Sequence, residues 1–145
     1  MEFTQPPFSL VNAGARLDFL PFCLEQNVAM IGYSPLAAGF LAGKYSPSRD
    51  AVPKGTRFDV LPGHIDIYFN EKNFKILDSL RALSAESGLG MVTLAMAWVI
   101  AYPGITTVLV GARKKAHIDN ALECLKNPLR KELFQRMANW LDGAD

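Results

Sequence analysis

Residues Val28 to Gly32 read VAMIG and run directly into Tyr33 to Tyr45, YSPLAAGFLAGKY, and this junction decides the fold. The first five residues form a compact apolar run of strand length, and Ser34-Pro35 then opens a loop. Upstream, Leu17, Leu20 and Leu24 fall at helical spacing, which predicts an amphipathic helix from Arg16 to Gln26 that buries them, with Pro21 tolerated near its first turn. Glu2 to Leu10 reads as a short strand leaving into a turn, because Pro6-Pro7 bars a helix and Asn12-Ala13-Gly14 supplies loop chemistry. Strand, helix and strand in this order make a parallel crossover unit.

Downstream, residues 33–70 are rich in Gly, Pro, Ser and Asp without a sustained period, so a long loop is expected, and loops of that length usually carry function. Ile76, Leu77, Leu80 and Leu83 mark a helix from Glu71 to Ser87, stopped by Gly88. Gly90 opens a second helix, Met91 to Tyr102, apolar nearly all round and therefore covered on most sides. Thr106 to Val110 is a β-branched strand with apolar residues on both faces, as in parallel sheets covered by helices. After Gly111-Ala112-Arg113 comes a helix with the stripe Ile118, Leu122 and Leu125. A last helix, Leu129 to Leu141, is expected to bury Leu129, Leu133, Met137 and Trp140. The class is α/β with a parallel sheet, but three strands are too few for a doubly wound sheet or for a closed barrel of about 250 residues.

Composition narrows the function. The chain has 145 residues, half of them hydrophobic, and its length suits one domain spanning residues 1–145. Fifteen Lys and Arg against fourteen Asp and Glu leave a net charge of +1, so neither nucleic acid nor an acidic membrane is an expected partner. Cys23 and Cys124 lack the close spacing of zinc ligands or redox dithiols and read as buried free thiols in a reducing compartment. The apolar stretch Leu89 to Ile105 is broken at Pro103-Gly104 and falls short of about 20 residues, and no signal layout precedes Pro6-Pro7. A soluble, cytoplasmic chain with no metal site is expected.

A parallel strand ending in a Ser-Pro-Leu loop presents backbone amides at the carboxyl edge of the sheet, where ligands bind in such proteins. Tyr33, at the strand tip, is placed to stack on a flat heterocycle and Lys44 to offset phosphate charge; taken alone, Tyr33 reads more readily as a packed aromatic and Lys44 as a solvated cation. Gly111 and Ala112 permit close backbone approach, the following helix start favours an anion, and Arg113 and Lys114 add positive charge. His64, in a Pro-Gly-His turn, reads as a surface residue.

Tyr33 to Tyr45 closely resembles the motif after the seventh strand of aldo-keto reductases. Gly90 to Trp98, GMVTLAMAW, is similar to the helix before the family's last strand, and Pro103 to Arg113, PGITTVLVGAR, to that strand and its Gly-Ala-Arg turn. The resemblance runs from Gln5 to about Leu125 and implies a partial (β/α)8 barrel whose three strands correspond to strands six to eight. It further implies an NADP(H) site built from Tyr33, Ser34, Pro35, Leu36, Ala37, Lys44, Gly111, Ala112 and Arg113. Gln5 is either a loop residue or a partner of the nicotinamide amide, and His117 stands where relatives often place a Gln or Arg near the adenine ribose phosphate.

Two departures bear on that site. Relatives commonly carry Glu-Asn where this chain has Asn120 and Ala121, so one adenine contact is expected to be missing or moved; Gly111 replaces a lysine of some branches, leaving Arg113 to hold a 2′-phosphate. The family's tyrosine, lysine, aspartate and histidine all precede the sixth strand, so no catalytic residue is assigned, and Tyr33, Tyr45, Tyr68 and Tyr102 do not substitute. Three readings follow: the cofactor-gripping portion of a reductase that needs a complementary amino-terminal half-barrel, a nucleotide-binding module without turnover, or a self-associating interaction module. Open strand edges predict a homo-oligomer or that complementary half as partner.

Overall fold

A computed structural model describes residues 2–142. Its sheet has three parallel strands in the order β1-β2-β3, formed by Phe3–Thr4, Ala29–Gly32 and Ile105–Val108. Phe3 pairs with Ala29 and Thr4 with Met30, whereas β2 and β3 run from Met30 opposite Ile105 to Gly32 opposite Val108. The register shifts between Met30 and Ile31, and there the Thr106 hydroxyl accepts a hydrogen bond from the Met30 amide at 3.1 Å. A side chain thus satisfies a buried donor that the ladder has lost.

The expected strand Glu2 to Leu10 contracts to β1 because Pro6 and Pro7 have no N–H to extend the ladder. Pairing continues only as an isolated bridge between Pro7 and Tyr33. The Tyr33 amide donates to Pro6 O at 3.1 Å, and the Phe8 amide to Tyr33 O at 3.0 Å.

Helix α1, Phe19–Glu25, is shorter than expected, being preceded by a separate 3-10 turn, Gly14–Arg16. It buries Leu20 and Cys23, but Leu17 and Leu24, expected on the buried stripe, are mostly exposed, as is Phe22. Gly104, with φ +92°, brings the start of β3 against this helix. A Cβ there would lie 2.7 Å from Leu20 Cδ1, so only glycine suits both the left-handed backbone and the close approach.

Helices α4, Glu71–Ser87, and α5, Met91–Ala101, lie at the expected places, α5 ending one residue early. The Asn70 side chain accepts from the Asn73 amide at 2.9 Å, and Gly88 closes α4 at φ +72°. Every residue from Leu94 to Val99 is buried, as an apolar circumference requires. Among the described residues no single helix is long and apolar enough to cross a membrane.

Residues 33–70 depart from the expected loop. They contain the 3-10 segments Ala37–Ala42 and Arg49–Ala51 and the short helices α2, Arg57–Val60, and α3, Gly63–Tyr68. Phe40 is the hub of an aromatic cluster, with ring centroids 5.1 Å from Phe74, 6.0 Å from Phe69, 6.2 Å from Tyr68 and 6.5 Å from Phe58. Aromatics at irregular intervals leave no period in the sequence, and tertiary contact gathers them.

Helix α6, Lys115–Lys126, carries the expected stripe but leaves it largely uncovered. Ala121 and Cys124 are its buried residues, whereas Ile118, Leu122 and Leu125 are 50%, 49% and 60% exposed. The cause is the end of the sheet at β3. Thr106 and Thr107 are exposed there as well, so the strand is not covered on both faces. Helix α7, Lys131–Asp142, buries Leu133, Met137 and Leu141, while Leu129 and Trp140 are only partly covered. Phe134 stacks on Trp98, Arg136 forks onto both oxygens of Glu86 at 2.8 Å, and Arg16 pairs with Asp142. Cys23 and Cys124 are buried free thiols.

Candidate functional site

Strands β2 and β3 end side by side: the Leu109 amide donates to Gly32 O at 2.8 Å. The segments that leave them, Tyr33 onward and Leu109 onward, therefore start at the same carboxyl edge, where a parallel sheet places its ligands. The bridge from Pro7 to Tyr33 brings Gln5, which is exposed, to that edge as well.

At the tip of β2 the Tyr33 ring is 43% exposed. The turn that follows has positive φ at three residues with side chains, Ser34 (+56°), Ala37 (+51°) and Ala38 (+57°), and at Gly39 (+90°). Left-handed backbone at a residue with a Cβ is disfavoured by about 1–2 kcal/mol and persists only where its surroundings over-determine it. The determinants are visible. Ser34 O accepts from the Ala37 amide at 2.8 Å and Ser34 Oγ from the Ala38 amide at 3.1 Å. Leu36 O accepts from Gly39 at 2.9 Å and from Leu41 at 3.2 Å. Pro35, Ala37, Phe40 and Leu41 are buried beneath.

Lys44 folds back over this turn. Its Nζ would lie 3.6 Å from a Cβ at Gly39 and sits 5.3 Å from the Tyr45 ring centroid. Leu36 packs against the Met96, Ala97, Ala121 and Cys124 cluster and so joins the turn to α6.

The second arm, residues 111–114, is exposed throughout. A Cβ on Gly111 would meet nothing within 4 Å, which leaves the backbone open to approach. The Arg113 amide donates to His117 Nδ1 at 3.3 Å, so that nitrogen must be unprotonated and Nε2 carries the ring proton while the bond is made. No acidic residue lies in the first turn of α6. Lys115 is paired with Asp119 at 2.9 Å, and among the described residues Arg113 and Lys114 have no carboxylate partner. Asn120 is exposed, whereas Ala121 packs into the core. No group of three or more His, Cys, Asp and Glu suited to a metal occurs among the described residues.

The fit to a nucleotide diphosphate rests on donor chemistry. One arm offers a cation above a left-handed turn, and the other offers free guanidinium and ammonium groups at the start of a helix. Tyr68 is the residue that sequence reasoning missed. It is 7% exposed, its ring packs with Phe40, Phe58 and His64, and burial raises its pKa above 10.0, partly offset by Ser34. The available signal was an aromatic pair, Tyr68-Phe69, closing the segment before α4. His64 is a half-buried wall of the same cluster, its ring stacked on Tyr68.

The model of the Aldo/keto reductase family matches residues 2–142. An uncharacterized oxidoreductase of Bacillus subtilis is 28% identical over 139 residues, covering 96% of this chain and 40% of the relative. L-glyceraldehyde 3-phosphate reductase of Escherichia coli is 28% identical over 146 positions, covering 96% and 41%. Among solved structures, the glycerol dehydrogenase of Gluconobacter oxydans superimposes with a TM-score of 0.72 at 25% identity, covering 96% of this chain and 42% of that one. The chain thus spans about two-fifths of the length of these relatives.

Proposed function

Because the chain belongs to the aldo/keto reductase family, we propose that it supplies the NADP(H)-gripping portion of a carbonyl reductase. The observation that carries this reading is that the 34–39 turn and the 111–114 arm both follow from the joined ends of β2 and β3. When bound, the cofactor would supply hydride exchange with a carbonyl or alcohol carbon. The chain's own residues bind and orient it. Tyr33 offers its ring face to the nicotinamide and Gln5 an amide partner. Ser34, Pro35, Leu36, Ala37 and Lys44 line the diphosphate, and Gly111, Ala112, Arg113, His117 and Asn120 line the adenosine end.

Arg113, helped by Lys114 or His117, favours a 2′-phosphate. A charge-assisted contact contributes about 1.5–3 kcal/mol, or roughly tenfold to a hundredfold in affinity. Titrating NADPH and NADH against the chain and its Arg113→Ala variant is the test: preference for NADPH should collapse in the variant, and equal affinities before and after would remove Arg113 from the site.

The four catalytic residues of the family fall on the part of the relatives that this chain does not span, so proton transfer is assigned to a complementary amino-terminal half-barrel. Residues 1–145 then act as one carboxy-terminal half-barrel domain, of which Met1 and residues 143–145 lie outside the described residues. Supporting this is the apolar groove of about 360 Å³ between β3 and α6, lined by Met96, Ile100, Ile105, Val110, Leu122 and Leu125, where a barrel would continue. Carbonyl reduction should be absent from the chain alone and should appear on adding the complementary half; turnover by the chain alone would overturn the assignment.

A further inference from the structure

Residues 110–113 leave the sheet as an exposed arm. Leu109 before them is fixed by its bond to Gly32 O, and Lys114 after them accepts at its carbonyl from the His117 amide at 3.0 Å. Between these points, among the described residues, the one hydrogen bond is that of the Arg113 amide to His117 Nδ1, at 3.3 Å. We infer that His117 is a positioning residue whose unprotonated ring holds the 111–114 arm against the start of α6, and that protonation of the ring frees the arm and loosens its grip on a 2′-phosphate. The loosened grip rests on the cofactor reading above; the hold on the arm does not.

The residue type matters at this place. A Glu or Gln three residues into a helix commonly reaches back to an amide at its start, and either keeps an acceptor oxygen throughout the neutral range. His117 stands at the same third position, after Lys115 and Ala116, and its ring reaches to Arg113. An imidazole accepts only through an unprotonated nitrogen, so a proton on Nδ1 removes the acceptor and sets one N–H against another. Nothing else is in place to take over. Lys114, the residue before the helix, makes no side-chain capping bond, and the first turn has no acidic residue.

The ring is exposed, so solvent protons reach it directly. The charged groups beside it are Arg113, Lys114 and Lys115, with Asp119 taken up by Lys115 at 2.9 Å. The elements packed on α6 add none: α5 is uncharged from Met91 to Ala101, and the 34–39 turn meets the cluster beneath α6 through Leu36. Protonation thus places a cation beside cations in an arm that has lost its bond. A ring that instead touched the phosphate would gain affinity on protonation, so the two roles differ in sign.

The test is a pH series on the full chain without cofactor, from about pH 5 to 8, read by the Arg113 amide and the His117 ring resonances. The amide should shift with the ring's own midpoint. Its protection from exchange should fall about twofold to tenfold on the acid side, as for one lost hydrogen bond, while the Leu109 amide stays as it was. His117→Gln should keep the amide at its neutral-side position across the series, and His117→Ala should leave it at the acid-side position throughout. A neutral ring carrying its proton on Nδ1, or an Arg113 amide that does not follow the ring, would overturn the inference. For the grip, the dissociation constant for NADPH is compared at each pH as the ratio of wild type to His117→Gln, which cancels titration of the phosphate itself. The ratio should rise about twofold to tenfold toward acid. A falling ratio would show a ring that touches the phosphate, a flat one an arm whose shape does not affect the grip, and either would overturn that half. If neither protein binds NADPH the cofactor reading falls, and the amide still decides whether His117 holds the arm.

Discussion

The segment after β2 and the segment after β3 begin at adjacent strand ends and both carry large apolar side chains, yet they meet opposite fates. Phe40 and Phe58 are fully buried and Tyr68 nearly so, whereas Ile118, Leu122 and Leu125 on α6 stay about half exposed. The first segment folds back onto α4 and α5, which the chain itself provides. The second turns its stripe toward the open edge of β3, where the sheet stops. Apolar pattern therefore states a demand for cover, and only the presence of a neighbour meets it.

The comparison breaks most readily by truncation. Phe40→Ala should destabilise the chain by about 3–5 kcal/mol, as expected for a large aromatic removed from a filled core, whereas Leu122→Ala should cost under about 1 kcal/mol in the chain alone. Urea unfolding of both variants measures this. Equal losses would mean that α6 is already covered.

Cover for α6 is the next largest effect. Exposed stripes and two open sheet edges predict that the chain on its own self-associates, each fully covered leucine contributing about 1.5–3 kcal/mol. Light scattering over a concentration series should show association at micromolar concentration, weakened by the double change Ile118→Asp and Leu122→Asp. A compact monomer with a cooperative melt would show that these residues need no cover.

Gly104 sharpens the comparison where β3 meets α1. Gly104→Ala should cost about 1–3 kcal/mol, because the new Cβ combines an unfavourable positive φ with crowding by Leu20 and Leu24. Gly111→Ala, in the exposed arm where nothing lies within 4 Å, should leave stability within about 0.5 kcal/mol.

The smallest effect is on pH dependence. Burial raises the pKa of Cys124 above 9.0 on one side and that of Tyr68 above 10.0 on the other. A raised value means that the folded chain holds the proton more tightly than the unfolded chain. The resulting stability is complete below about pH 9, and is lost as pH climbs through the raised values. Denaturation midpoints should be flat from pH 7 to 9 and fall above; Cys124→Ala should delay the start of the fall and Tyr68→Phe should lessen its later part.

Much of this was legible beforehand where local chemistry decides. The period Ile76, Leu77, Leu80, Leu83 with Gly88 after it located α4 to the residue, and the junction at Gly32 and Tyr33 located the carboxyl edge of β2. The stripes of α1 and α6 were legible as stripes, but how far each is covered was not, because period reports which residues share a face and not what that face meets. The cluster around Phe40 was illegible for a different reason: its members fall at irregular intervals between Phe40 and Phe74.

By itself, then, the sequence determined the order of strands and helices, the stops at Pro and Gly, and the motif spacing that places the chain in its family. These follow from hydrogen bonds and side-chain periods within a few residues. Only the tertiary structure decided which apolar faces are covered, that Tyr68 stacks on Phe40, and that the His117 ring accepts from the Arg113 amide. Burial depends on what the rest of the fold brings up against a surface. The reach of one side chain to another depends on how the backbone between them closes, and in an irregular excursion no local period encodes that closure.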